Sequence, residues 1–208
     1  MNNTSSTTAV STIQEALSFD DVLLVPQYSD IMSRSAVDIT NELSKNILLG
    51  LPVISSPMDT VTEGTMALAM YDAGGMGVIH RYNSISEQTK IVSSVLERNE
   101  NVPVAAAVGV TKDFMRRCTE LKEAGAKVFC LDIAHGHHSM MEVAIKRIKD
   151  AFGDSVHIMA GNVATLEAFD ALASWGADSV RVGIGGGSIC STRLVAGHGI
   201  PTFESVFQ

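Results

Sequence analysis

The stretch best suited to chemistry runs Gly183-Ile184-Gly185-Gly186-Gly187-Ser188-Ile189-Cys190-Ser191-Thr192-Arg193. Four glycines in five positions let a backbone fold tightly and turn amides or carbonyls toward an ion or a phosphate. A cysteine just beyond such a turn is a candidate nucleophile, because amide dipoles and Arg193 can lower its thiol pKa. A pliable glycine loop with an incidental thiol has the same composition. Asp132-Ile133-Ala134-His135-Gly136-His137-His138 is the next cluster. Its histidines suggest a metal, yet no carboxylate or cysteine stands beside them at a recognised ligand spacing, which favours a solvated loop. Asp132 itself is placed to accept a ribose or amide hydrogen bond. Asn162, after Gly161, offers a donor and an acceptor together. Arg181 interrupts an apolar run, where a charge needs an internal partner or an anionic ligand. His80-Arg81 reads equally as a solvated polar pair.

These residues share one kind of position. Short β-branched runs recur at Val53-Ile54, Gly77 to Ile79, Val104 to Val108, Val128 to Ile133, Val156 to Met159 and Ser179 to Val182. Each of the first five is followed by helical spacing, over 62–72, 84–98, 111–124, 139–152 and 165–175. Thr62 is the expected cap of the first helix, and Ser84 with Glu87 has capping-box spacing in the second. A strand–helix rhythm of about 25 residues predicts parallel strands covered by helices. No G-x-G-x-x-G follows the first strand, and the chemistry-bearing residues gather at strand C-terminal ends. Both facts favour the α/β TIM (β/α)8-type barrel over the open doubly wound sheet. About six of its eight strand–helix units are visible, so unpaired edges are expected, and with them a need for company.

The chain has 208 residues and a formal charge of -8. That acid excess argues against nucleic acid as a partner. No apolar run reaches the length of a membrane span, and the polar N-terminus has no secretory pattern, so a cytoplasmic location is expected. Three cysteines, Cys118, Cys130 and Cys190, form no disulfide framework. Residues 1–16 read as a flexible tail and 17–208 as the partial barrel.

Taken together, the motifs resemble the IMP dehydrogenase and GMP reductase family. The resemblance lies in Phe19-Asp20-Asp21-Val22-Leu23-Leu24-Val25-Pro26, Ser56-Pro57-Met58-Asp59-Thr60-Val61-Thr62-Glu63, and Gly74-Gly75-Met76-Gly77-Val78-Ile79-His80-Arg81. It continues through Leu131-Asp132, Ala134-His135-Gly136-His137, Ala160-Gly161-Asn162-Val163, Gly183 to Arg193 and Val195-Ala196-Gly197. The Ser56 to Glu63 stretch and the His-Gly-His stretch look more like the dehydrogenase branch. The resemblance implies that Cys190 attacks carbon 2 of IMP, that hydride passes to NAD, and that water releases XMP, with Thr192 beside the thiol. It implies substrate contacts from Ser56, Met58, Asn162, Arg181 and Ser188. It assigns the cofactor to Asp132, Gly183, Ile184 and Gly185, and a potassium ion to the carbonyls of Gly185, Gly187 and Cys190. Homo-oligomers are the family habit.

Several departures qualify this. The regulatory insertion that most members carry after the second strand and helix is absent. Gly186 stands where proline is frequent. From Ile200 onward the text drifts from the pattern, and the last two strands with their phosphate-binding loops and water-activating arginine are not visible. The resemblance therefore leaves four readings: a dehydrogenase half that needs a second polypeptide, a GMP reductase-like enzyme using NADPH, a non-catalytic half-barrel that binds or modulates a full-length relative, or a truncated product with no function as it stands.

Overall fold

A computed structural model describes residues 15–44 and 46–208. The tail expected at 1–16 therefore lies almost wholly outside the described residues. An antiparallel hairpin, β1 (Asn41–Ser44) and β2 (Ile47–Leu49), comes first. Six parallel strands follow: β3 (Ile54–Ser55), β4 (Met76–Ile79), β5 (Ala105–Val108), β6 (Val128–Asp132), β7 (His157–Val163) and β8 (Ser179–Val182). They pair strictly in chain order. The connecting helices are α1 (Gly64–Asp72), α2 (Ile85–Arg98), α3 (Phe114–Glu123), α4 (Ser139–Phe152) and α5 (Leu166–Trp175), and a short α6 (Thr202–Phe207) follows β8. This is the expected α/β architecture, a curled six-stranded half-barrel.

Side-chain alternation along the strands builds two cores. Ala106, Val108, Phe129, Leu131, Ile158 and Ala160 point outward and pack against the apolar faces of the helices, among them Val92, Leu121, Ile145 and Leu172. Val78, Ala105, Ala107, Val128, Cys130 and Met159 point inward, where Ile47 and Leu49 of the hairpin cover them. The curl is visible in one cleft of about 210 Å3. Ile54 and Ser55 from the first parallel strand and Ser179 to Arg181 from the last line it together. Among the described residues β3 and β8 pair on one side only, and no helix is long and apolar enough to cross a membrane.

The capping box of α2 is present, with Glu87 N–H donating to Ser84 Oγ and Glu87 accepting from the Ser84 N–H and hydroxyl. Thr62 is not the cap of α1; Glu63 holds that position. Thr62 is fully buried and its hydroxyl lies 2.6 Å from the Ser56 carbonyl and 2.8 Å from Ser55 Oγ. A buried hydroxyl needs such partners, and here they fix the turn that leaves β3.

Candidate functional site

The site begins with a glycine. Gly161 on β7 is in register with Asp132 on β6 and with Arg181 on β8. Because Gly161 has no side chain, Arg181 passes over β7 and reaches the far strand. Its Nη1 donates to Asp132 Oδ1 at 2.7 Å and to Cys130 Sγ at 3.3 Å. A Cβ on Gly161 would stand 2.7 Å from Arg181 Cβ, inside any permitted contact. The charge anticipated in the sixth strand thus has an internal partner. Arg81, at the end of β4, adds a second guanidinium: Nη2 donates to the Asp132 carbonyl at 3.0 Å, and Nε lies 3.8 Å from Oδ2. Two cations thus share one carboxylate, and Oδ2, 3.8 Å from the nearer guanidinium nitrogen, keeps free lone pairs.

Asn162 joins three loops. Its Nδ2 donates to the Gly183 carbonyl at 2.8 Å, and its own carbonyl accepts from Gly136 N–H at 2.7 Å. A Cβ on Gly136 would approach that carbonyl to 2.8 Å, so glycine is needed between the histidines. His137 stacks obliquely near Trp175 and His135 meets His138 edge-on. Among the described residues no group of three His, Cys, Asp or Glu side chains could hold a metal.

Beyond β8 the glycine loop closes on itself. Gly185 has φ +69° and packs against His198 and Gly199, a backbone that suits glycine. Ile200 N–H donates to the Ile184 carbonyl at 3.0 Å. Cys190 N–H donates to the Gly187 carbonyl at 3.1 Å, and the Cys190 carbonyl accepts from Leu194 N–H at 3.0 Å as a π-helical turn begins at Thr192. The half-buried Cys190 thiol is held below its ordinary pKa. The main-chain amides of Arg193 and Thr192 contribute most, and the Thr192 hydroxyl and Gly185 amide add to them. Ser188 is exposed on the same loop. The other two thiols are inert by contrast, because burial pushes Cys118 up to about 12 and Cys130 up to about 11.

The structure thus joins Arg181 to Asp132 and, separately, Asn162 to Gly183 by hydrogen bonds, and it groups Gly185, Gly187, Thr192 and Cys190 in one loop that leaves Gly183. Ser56 lies with Arg181 on the shared cleft, whereas Met58 projects into solvent beyond it.

Several positioning residues have no motif. Fully buried Gln88 on α2 donates to the His80 and Ala107 carbonyls at 2.9 Å each and accepts from Arg117 Nη1 at 2.6 Å. It ties the ends of β4 and β5 to α3. His80 is locked, with Nδ1 accepting from Tyr82 N–H at 3.1 Å and Nε2 lying 3.2 Å from Glu63. Cys130 was signalled only by lying two residues before Asp132 on a strand, hence on the same face.

Fold and site together define a partial (β/α)-barrel architecture with a thiol of lowered pKa on the glycine loop after its last strand. More narrowly, the chain belongs to the IMP dehydrogenase / GMP reductase family, whose domain matches residues 16–208. That is a family of oxidoreductases. The chain is 37% identical to the inosine-5'-monophosphate dehydrogenase of Cryptosporidium parvum, with 93% of this chain and 58% of the relative covered. It is 31% identical to that of Nitrosopumilus maritimus over 317 residues, covering 94% and 66%. That aligned span exceeds this whole chain, so the relative carries inserted residues without a counterpart here. A crystal structure of Trypanosoma brucei GMP reductase superposes with a TM-score of 0.87 at 28% identity, covering 94% of this chain and 74% of that one. The chain spans less than two thirds of the length of the curated relatives named here.

Proposed function

We propose that this chain supplies the nucleophilic part of an IMP dehydrogenase-type site. The observation that carries the reading is the Cys190 thiol under the amides of Arg193 and Thr192, on the loop whose Gly183 carbonyl accepts from Asn162 of β7, with the Arg181–Asp132 pair on the strands either side of β7. A thiolate formed there adds to carbon 2 of the purine, a C–S bond forms, and the hydride on carbon 2 departs. NAD, when bound, accepts that hydride. Water then adds to the thioimidate and the C–S bond breaks, which gives XMP and returns the thiol. Holding the purine over Cys190 supplies much of the acceleration; Ser56, Met58, Asn162, Arg181 and Ser188 are the residues assigned to it. Asp132 retains lone pairs on Oδ2 for a ribose hydroxyl, beside Gly183, Ile184 and Gly185. The carbonyls of Gly185, Gly187 and Cys190 are an oxygen-only donor set that suits potassium; those of Gly187 and Cys190 already accept one bond each and keep a second lone pair.

The test is covalent. A 6-chloropurine ribonucleotide loses chloride as the thiolate bonds to it, and mass spectrometry locates the adduct. Labelling of Cys190 that IMP suppresses supports the reading, and absence of labelling at millimolar nucleotide overturns it. A GMP reductase-like activity is the second reading, favoured by the Trypanosoma brucei superposition and by Leishmania major GMP reductase at 28% identity. NADPH consumed with GMP, against NADH formed with IMP, separates the two. Among the described residues β3 and β8 pair on one side only, so NADH formation from IMP is expected only where further strands complete the ring. Self-association of the kind the family shows is read by light scattering.

A further inference from the structure

We propose that Arg81 is a positioning residue for the dinucleotide: reaching over from β4, it pins the main chain of Asp132 so that one carboxylate oxygen, Oδ2, is held ready for a ribose hydroxyl. This rests on the assignment of Asp132 to the cofactor made above, and it gives a role to a residue that the family resemblance left without one.

Two arginines converge on Asp132 by matching routes from opposite sides. β6, which carries Asp132, lies two strands from β4 and two strands from β8. Arg181 of β8 crosses β7 over Gly161. Arg81, just beyond β4, crosses the end of β5, where Gly109 follows Val108. A Cβ on Gly109 would stand 3.6 Å from Arg81 Nη1 and 3.8 Å from Cζ. That is already full contact, so a branched side chain there competes with the guanidinium for its path. On both sides, therefore, the strand between the arginine and the acid offers a glycine at the crossing.

The two arginines grip different parts of the acid. Arg81 Nη2 takes the main-chain carbonyl at 3.0 Å, and Arg181 Nη1 takes Oδ1 at 2.7 Å. With backbone and one oxygen both fixed, the carboxylate has little freedom to turn, and Oδ2 is set in one place. Arg81 is steadied in turn by the Tyr82 ring, 5.5 Å from its guanidinium carbon, a cation–π contact. Its Nε is buried and has no hydrogen-bond partner among the described residues, although Oδ2 lies only 3.8 Å away. That distance is too long for a hydrogen bond, and buried donors are nearly always paired. A donor and an acceptor left this close without closing on each other mark an oxygen kept for a ligand. Such preorganisation lowers the ordering cost of binding.

The test titrates NAD into the full chain, with saturation-transfer NMR reading contacts of its ribose protons. Arg81→Met should weaken NAD at least tenfold, as should Asp132→Asn. Arg81→Lys, which keeps a donor and the charge, should regain most of the loss. Gly109→Val should reproduce the Arg81→Met defect with the arginine still present. Iodoacetamide reports general disturbance of the strand ends, so Cys190 should keep its alkylation rate in Arg81→Met and Gly109→Val. Unchanged NAD affinity in Arg81→Met, equal losses in the Met and Lys variants, or a loss accompanied by slowed Cys190 alkylation overturns the proposal while the Asp132 assignment stands. Wild-type affinity in Asp132→Asn, or no NAD binding by the wild-type chain at millimolar concentration, defeats the cofactor assignment, and the role of Arg81 falls with it.

Discussion

Replacing Gln88 by leucine tests whether one amide holds the catalytic ends of β4 and β5. Leucine keeps the volume, so no cavity term enters, and it removes three bonds: two to carbonyls at 2.9 Å and one from Arg117 at 2.6 Å. Two neutral bonds at about 1 kcal/mol each and one charge-assisted bond at about 1.5–3 kcal/mol are lost, while relief of the buried amide's desolvation offsets part. A net loss of about 3 kcal/mol follows. With a urea slope of about 2 kcal/mol/M, the midpoint falls by about 1.5 M. Trp175, the only tryptophan, reports the transition by fluorescence and far-UV dichroism should coincide. Arg117→Met, which also forfeits the bond to the Asn83 carbonyl, costs about 2 kcal/mol on the same scale. In the double variant the two losses should overlap by about 1.5 kcal/mol or more. A midpoint shift under about 0.3 M, or simple additivity, refutes the clamp.

Four further outcomes are expected. Iodoacetamide at neutral pH should modify Cys190 far faster than Cys118 or Cys130, and Thr192→Ala should move the Cys190 rate profile to higher pH; comparable labelling of all three thiols contradicts this. Gly161→Ala forces β8 away from β7 and should cost about 1–3 kcal/mol while disturbing Arg181, which a crystal structure of the variant would reveal. Asp132→Asn removes the charge facing Arg181; the pair is about one-fifth exposed, so its loss is expected to cost about 2 kcal/mol, below the range for fully buried pairs. Stability should also decline above about pH 9. Cys118 and Cys130 have folded pKa values raised to about 12 and 11 from 9.0, so the unfolded chain loses protons first and stability is lost as pH rises toward those values. A C118A/C130A variant with an unchanged alkaline limb would contradict that linkage.

Local rules carried much of the fold. Ser84 and Glu87 announce α2, Gly176 closes α5 with φ +105°, and Ser139 to Phe152 is helical over its expected span. Misreadings arose where tertiary contacts outweighed local ones. Thr62 has the chemistry of a cap, but the Ser56 turn takes its hydroxyl. The third helix starts at Phe114 rather than Thr111 because Lys112 adopts φ +57°. The β1–β2 hairpin has no counterpart among the expected elements: its strands are short and bulged, and Ile47 and Leu49 meet the inner core while Leu48 between them is exposed. The stretch after Ile200, expected to drift from the family pattern, lies within the family match and forms α6.

At the site, Arg181 and Asp132 were legible as a charge needing a partner and an acid at a strand end. What joins them was not, because Gly161 acts through the side chain it lacks. Arg81 and Gln88 were hidden for a related reason. A polar residue on a helix or at a strand end looks solvated until the carbonyls around it are known.

The strictly sequential order of the parallel strands also bears on how the molecule comes into being. Every ladder from β3 to β8 joins a segment to the one made next, so each addition closes a short loop and waits for nothing distant. Each pairing still spans a full crossover, which slows it relative to purely local contacts, but on the ribosome each new strand finds its template already in place. Nascent chains of increasing length should gain protease resistance one strand–helix unit at a time, starting at the amino-terminal side.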